Sequence, residues 1–214
     1  MLSSCAPGAR KGTVAGYFDE SEKLVAAADQ LSGRAPGVYV TLNPVSPELL
    51  ARSINKVQPF AKHTASDADI LSRRWLPLDF DPVRAAGISS TEQARQAAID
   101  TDCRRREWLR ECGLPDSVFA GSGNGAHPLI RIDLPNNEES TNLVRRCLEA
   151  VASRFSSASV DVDVRVFNAA RIWKLYGTLA AKEDSTDERP HRLATLLEVP
   201  QGLVVASSSV GACA

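Results

Sequence analysis

From Trp75 onward the chain prescribes one order of elements, and that order restricts the fold more than any other feature of the sequence. "WLPLDF" reads as a strand, with Leu78 and Phe80 on one face and Asp79 on the other. "SSTEQARQAAIDTDCRRREWLREC" is a long helix that opens on a Ser/Thr cap and stops at Gly113 and Pro115. "SVFAGS" and "HPLIRIDL" are the strands of a hairpin joined by the tight glycine turn "GNGA". "NNEESTNLVRRCLEAVASRF" is a second helix, with acids in its first turn where the helix dipole favours them. "VDVDVRVF" and "RIWKLY" compete as the closing strand, and "HRLATLLEV" supplies a further one.

Strand-helix-strand-strand-helix-strand is the order of a ferredoxin-like, RNA-recognition-type module. Upstream, "FDESEKLVAAADQL" has apolar residues at helical spacing, "GVYVTLNPV" is a strand, and "SPELLARSINKV" is a helix capped by Ser46 with Pro47 in its first turn. The expected class is α+β, an N-terminal αβ module (about 17–72) packed on the RNA-recognition-motif-like module (about 73–200). Residues 1–16 show no periodicity and are expected to be flexible, and 201–214 read as a linker or truncated tail. With 214 residues, 43% of them hydrophobic, the chain can bury a proper core. No apolar run approaches the ~18 residues of a membrane span, and no signal peptide is visible, so the expected setting is cytoplasmic with no membrane. The five cysteines form no CxxC pair and read as free thiols, not a zinc site or disulfide frame. A net charge of −1 gives no global basic field for coating nucleic acid, but it is compatible with an enzyme carrying its own acidic metal site.

The topology gives meaning to the acids of "WLPLDFDPVR". Taken alone, Asp79 and Asp81 read first as a strand end turning into solvent, since Asp followed by Pro82 is good turn chemistry. In this fold the first and third strands are antiparallel neighbours, so Asp79 and Asp81 lie beside His127 at the start of "HPLIRIDL". The closing strand flanks the first on its other side and brings Asp161 and Asp163 to the same end. Carboxylates on one face repel unless a cation sits between them, and three of them suit two-metal phosphoryl transfer. The glycines of "SGNGAH" let backbone approach closely where a side chain would block it. Arg171 and Lys174 in "NAARIWKLYGT" are either strand-edge charges or, beside the acids, groups suited to a triphosphate.

In order and spacing, "PLDFDP", "SGNGAH" and "VDVRVFNAARIWKLYGT" resemble the three motifs of the archaeo-eukaryotic primase superfamily, closest to its bacterial, viral and plasmid primase-polymerases. The resemblance spans about Tyr39 to Val199. It implies that Asp79, Asp81 and Asp163 are the catalytic, metal-binding carboxylates for two Mg²⁺ or Mn²⁺ ions, with Asp161 the lesser choice. It implies nucleotide binding by His127, Arg171 and Lys174, with Gly125 at the motif's small position and Ser122 before it. The implied activity is a template-dependent nucleotidyltransferase, a DNA primase or polymerase. Its partners would be a single-stranded DNA template, a primer strand, NTP or dNTP, and a helicase in cis or in trans. Two rivals remain. A replication-initiator endonuclease needs a His-x-His pair and a nucleophilic tyrosine, whereas His63, His127 and His191 are scattered. A non-catalytic RNA-recognition module needs stacking aromatics on its central strands.

Overall fold

The computed structural model describes residues 2–5, 12–182 and 184–203. Its first sheet has five strands in the order β10-β3-β1-β2-β4. These are β1 (Leu2–Cys5), β2 (Thr13–Tyr17), β3 (Val38–Thr41), β4 (Lys56–Gln58) and β10 (Ile172–Lys174). Helix α1 (Ser21–Leu31) covers one face, where Ala28 and Val38 are buried among Phe18, Leu24, Val40 and Leu175.

Two parts of the N-terminal sequence, which shows no periodicity, are strands. Leu2–Cys5 pairs with both β2 and β3, and Thr13–Tyr17 pairs with β1 and β4. Periodicity over so few residues is too weak a signal, and the neighbouring strands supply the backbone partners. Residues 1 and 6–11 of that segment, and 204–214 of the expected tail, lie outside the described residues. "SPELLARSINKV" forms only a 3-10 helix, Pro47–Arg52, and its Ser46 makes no side-chain cap bond. Asn55, at φ 51°, turns the chain and donates through Nδ2 to Asp19 and Glu20, which releases Lys56–Gln58 to become a strand.

The second layer follows the order read from Trp75. β5 (Ser72–Pro77) and β6 (Phe80–Pro82) are two halves of one path, followed by α2 (Glu92–Glu111), β7 (Phe119–Gly121), β8 (Leu129–Pro135), α3 (Glu138–Phe155) and β9 (Val160–Val162). β5 runs antiparallel to β8 with Pro77 opposite Leu129, and β6 runs antiparallel to β9. Bridges Val118 to Leu129 and Gly121 to Ala126 join β7 to the segment leading into β8. β13 (Thr195–Glu198) adds to the far edge of β7. The order across this layer is therefore β13, β7, β8, β5–β6, β9.

α2 and α3 bury its inner face. Leu78, Phe80, Ile132 and Leu148 are all fully buried, each contributing about 1.5–3 kcal/mol by leaving water. Thr91 caps α2 by accepting from the Ala94 N–H, and Asn137 caps α3 through Ser140. Both charges of Asp102 and Arg105 are enclosed beneath α2, where Arg105 also donates to Ser117.

The two candidates for the closing strand part company. Val160–Val162 closes the second layer, whereas "RIWKLY" crosses to the first sheet, where Trp173 lies opposite Val40. "HRLATLLEV" also splits, into β12 (Arg192–Leu193), paired with β11 (Leu179–Ala180), and β13. Buried Ala194 separates them, bonding to Thr178 and Gly177. Asn43 stitches the layers together, and Arg73 ties β5 to α3 and to the segment after β9. Buried Arg73 donates to Phe167 O and Thr141 Oγ1, and Asn43 accepts from Arg74 N–H while donating to Ala169 O.

Candidate functional site

Two hydrogen bonds decide which polar residues meet. Phe80 and Ala126 exchange both backbone bonds, each N–H donating to the other's carbonyl at 3.0 Å. Their neighbours Asp79 and His127 therefore stand together, with His127 Nε2 3.3 Å from Asp79 Oδ1. On the other flank Phe80 opposes Val162 and Asp81 opposes Asp161, while Asp163 N–H donates to the Asp79 carbonyl at 3.0 Å. Phe80, Val160 and Val162 point into the core. The acids alternate with them and occupy the other face. The result is two cross-strand rows, Asp79 beside Asp163 and Asp81 beside Asp161.

Asp163 lies just beyond the strand, not within it as the alternating valines suggested. Its Oδ1 accepts from both the backbone N–H and the Nε of Arg165, each at 2.8 Å. This local side-chain turn competes with the sheet ladder and leads the chain away. Burial pushes the Asp163 carboxyl up, but the hydrogen bonds and charge of Arg165, with the charge of Arg171 behind them, hold it below the usual range.

Asp81 shifts the opposite way. Burial and the adjacent Asp79 charge raise it, and Arg84 and His127 offset this only in part. Arg84 Nη1 lies 3.1 Å from Asp81 Oδ1 and also donates to the Pro82 carbonyl, while Nε donates to the Ile88 carbonyl. An open groove of about 370 Å³ runs past Asp81, Asp161 and Arg84 to Ser157.

The glycine turn folds against the acids. Gly123 has φ +95°, which residues with a Cβ rarely adopt, and a Cβ on Gly125 would lie 2.1 Å from the Phe80 carbonyl oxygen. The backbone that approaches Gly125 is thus the acid strand itself. Ser122 Oγ accepts from the N–H groups of Asn124 and Gly125, at 3.3 and 2.9 Å, and so holds the turn closed.

Of the basic candidates, Arg171 Nη2 donates to the Arg165 carbonyl, and its Nε is buried without a partner. Its charge reaches Asp163. Lys174 stands differently. Its neighbour Trp173 stacks on His127 with ring centroids 3.9 Å apart, so strand alternation turns Lys174 to the other face, where Nζ lies 5.6 Å from the Tyr39 ring centroid.

The donor set suits a hard divalent cation. Carboxylate oxygens are its preferred ligands, and Asp81 is raised by burial first and by the Asp79 charge second, with Arg84 offsetting this only in part. Among the described residues no group of three or more His, Cys, Asp or Glu side chains stands in a ligating arrangement, as Asp81 and Asp163 contact Arg84 and Arg165. Sequence reasoning passed over four residues at this site. Arg84 sits inside "WLPLDFDPVR" and Arg165 inside "VDVDVRVF", where alternation drew attention to the acids. Trp173 and Tyr176 gave only the spacing of an apolar strand end.

No protein-family model and no curated protein matches this chain.

Proposed function

We propose that the chain is the catalytic core of a template-dependent nucleotidyltransferase, a DNA primase or polymerase. The carrying observation is the pair of carboxylate rows, Asp79 with Asp163 and Asp81 with Asp161, on one face beside His127 Nε2. The strand order β9, β5–β6, β8, β7 supports the RNA-recognition-like module, since a βαββαβ chain of that topology keeps its first and third strands central.

In this reading Asp79, Asp81 and Asp163 hold two Mg²⁺ or Mn²⁺ ions, which when bound lower the pKa of the attacking 3′-hydroxyl and neutralise phosphate charge. Arg84 and Arg165 are the resting partners of Asp81 and Asp163 and exchange them for phosphate oxygens. His127 offers its Nε2 edge to the nucleotide, and Arg171 adds charge next to Asp163. The bond to the α-phosphate forms from the primer or first-nucleotide 3′-hydroxyl as the bond to pyrophosphate breaks, and the hydroxyl's proton passes to solvent. Base pairing with a single-stranded DNA template selects the NTP or dNTP, so the protein needs only a path for the backbone. A helicase, in cis or in trans, would supply that template.

The endonuclease alternative gains nothing from the three tyrosines. Tyr17 is buried, the Tyr176 hydroxyl is engaged by two hydrogen bonds, and half-buried Tyr39 lies beside Lys174, on the face turned away from His127. Incubation with a primer-free single-stranded template, Mn²⁺ or Mg²⁺, and NTPs or dNTPs in turn tests the proposal. Template-dependent products are the expected result. No product with either nucleotide set, with or without a primer, overturns it.

A further inference from the structure

We propose that Trp173 and Tyr176 are positioning residues for His127, so that the first sheet, not the β7–β8 connection that carries the histidine, sets its ring. The inference rests on the nucleotide-binding role given above to His127.

A functional imidazole is ordinarily oriented by a hydrogen bond to its second ring nitrogen, from a carboxylate or a backbone carbonyl. His127 lacks that anchor, because its buried Nδ1 finds no hydrogen-bond partner among the described residues. What holds the ring instead is a flat contact. The indole of Trp173 stacks on it at 3.9 Å between centroids with the planes 23° apart. Such a stack fixes the plane of the imidazole, and the contact with Asp79 fixes which edge points to the carboxylates.

The indole is itself anchored twice. Trp173 is 3% exposed, and its backbone lies in the ladder of β10 opposite Val40 of β3. Its Nε1–H donates to the Tyr176 hydroxyl at 3.0 Å, and that hydroxyl donates to the His127 carbonyl at 3.0 Å. Burial raises the phenol well above its ordinary pKa, so the hydroxyl keeps the proton it donates. The His127 N–H meanwhile donates to the Ala120 carbonyl at 2.7 Å. Backbone and ring of one residue are thus tied into a closed loop from His127 to Trp173 to Tyr176 and back. Two of its members belong to the segment that crosses from the second layer to the first.

The device differs from simple core packing in what it controls. A tryptophan that merely filled space could be replaced by leucine with a loss of stability alone. Here the replacement also frees the ring about its side-chain torsions, and Nε2 no longer faces the nucleotide site in one orientation. Phenylalanine keeps a flat face and should keep the orientation.

The test uses the metal-free full chain and reads His127 directly. Its ring protons, assigned against His63→Gln and His191→Gln variants, are expected upfield because they lie over the indole. Trp173→Leu should remove that shift, and Trp173→Phe should retain most of it. In a parallel titration with a nonhydrolysable nucleotide and Mn²⁺, Trp173→Leu should weaken binding roughly five- to tenfold, consistent with the value of one aromatic pair. Trp173→Phe should restore most of this. Should the leucine variant fail to fold, Tyr176→Phe carries the test through a displaced Trp173 indole N–H resonance, moved His127 ring protons and a weaker nucleotide complex. An unmoved His127 ring signal in a folded Tyr176→Phe protein, or wild-type nucleotide affinity in a folded Trp173→Leu protein when His127→Ala weakens binding, overturns the positioning role. Wild-type nucleotide affinity in His127→Ala, with the ring signal behaving as expected, overturns the nucleotide-binding reading instead.

Discussion

Asp81 is the residue where charge, burial and function conflict most plainly. Partial burial and the adjacent Asp79 hold its carboxyl above the ordinary range, although its side chain is 48% exposed and paired with Arg84, so the ionised group is held less favourably in the fold than in water. A raised carboxyl stabilises the fold below its unfolded pKa, and that contribution is lost as pH rises through the folded value. Asp81→Asn should therefore raise the melting temperature in chelator at neutral pH, and the gain should shrink as the pH falls through that window. Calorimetry across pH checks this. Asp163 calls for a different experiment, because Arg165 already compensates it. Under the proposed function Asp163→Asn should abolish nearly all synthesis, whereas Asp161→Asn should keep most of it. The reverse outcome in a primer-extension assay would make the row of Asp81 and Asp161 the one that matters. Gly125 is the third residue of consequence. A methyl group there meets the Phe80 carbonyl at 2.1 Å, so Gly125→Ala should cost about 1–3 kcal/mol of stability, as overpacking does, and displace the acid strand. Unchanged urea denaturation would contradict that contact.

Among the elements, α2 carries an unusual internal charge. Asp102 and Arg105 are both enclosed, and Asp102 Oδ2 has no hydrogen-bond partner among the described residues. Burial pushes the Asp102 carboxyl up against the pull of Arg105. Arg105→Ala should thus destabilise by about 3–5 kcal/mol, since it strands a buried charge, whereas Asp102→Leu with Arg105→Met should recover most of the loss. Equal destabilisation by the single and double changes, measured by urea denaturation, would contradict this account. The elements also show what a sequence can tell. α2, the glycine hairpin and α3 were legible because their caps, glycines and apolar spacing agree with one another. The path of "RIWKLY" was not. Its alternation is that of any strand, and nothing local to Trp173 says that its partner is Val40 rather than the neighbouring acid strand. The same holds for Leu2–Cys5, whose pairing depends entirely on β2 and β3.

At the scale of the molecule, one crossing segment joins two sheets and places the wall behind His127. Residues 163–171 leave the acid strand through the Asp163 turn, and β10 then delivers Trp173 from the first sheet to the histidine of the second. The placement of Asp79, Asp81 and His127 was legible because strand-helix-strand-strand-helix-strand order dictates which strand ends adjoin. The arginines that answer the acids were not, since Arg84 and Arg165 are set by turns that no periodicity announces. The central claim is that these carboxylates perform metal-dependent nucleotide transfer. Its most direct measurement is product formation on a primed single-stranded template with Mn²⁺, comparing the wild-type chain with an Asp79→Ala/Asp81→Ala variant shown by circular dichroism to be folded. The account predicts extension by the wild type and none by the variant. Equal extension by both would contradict it.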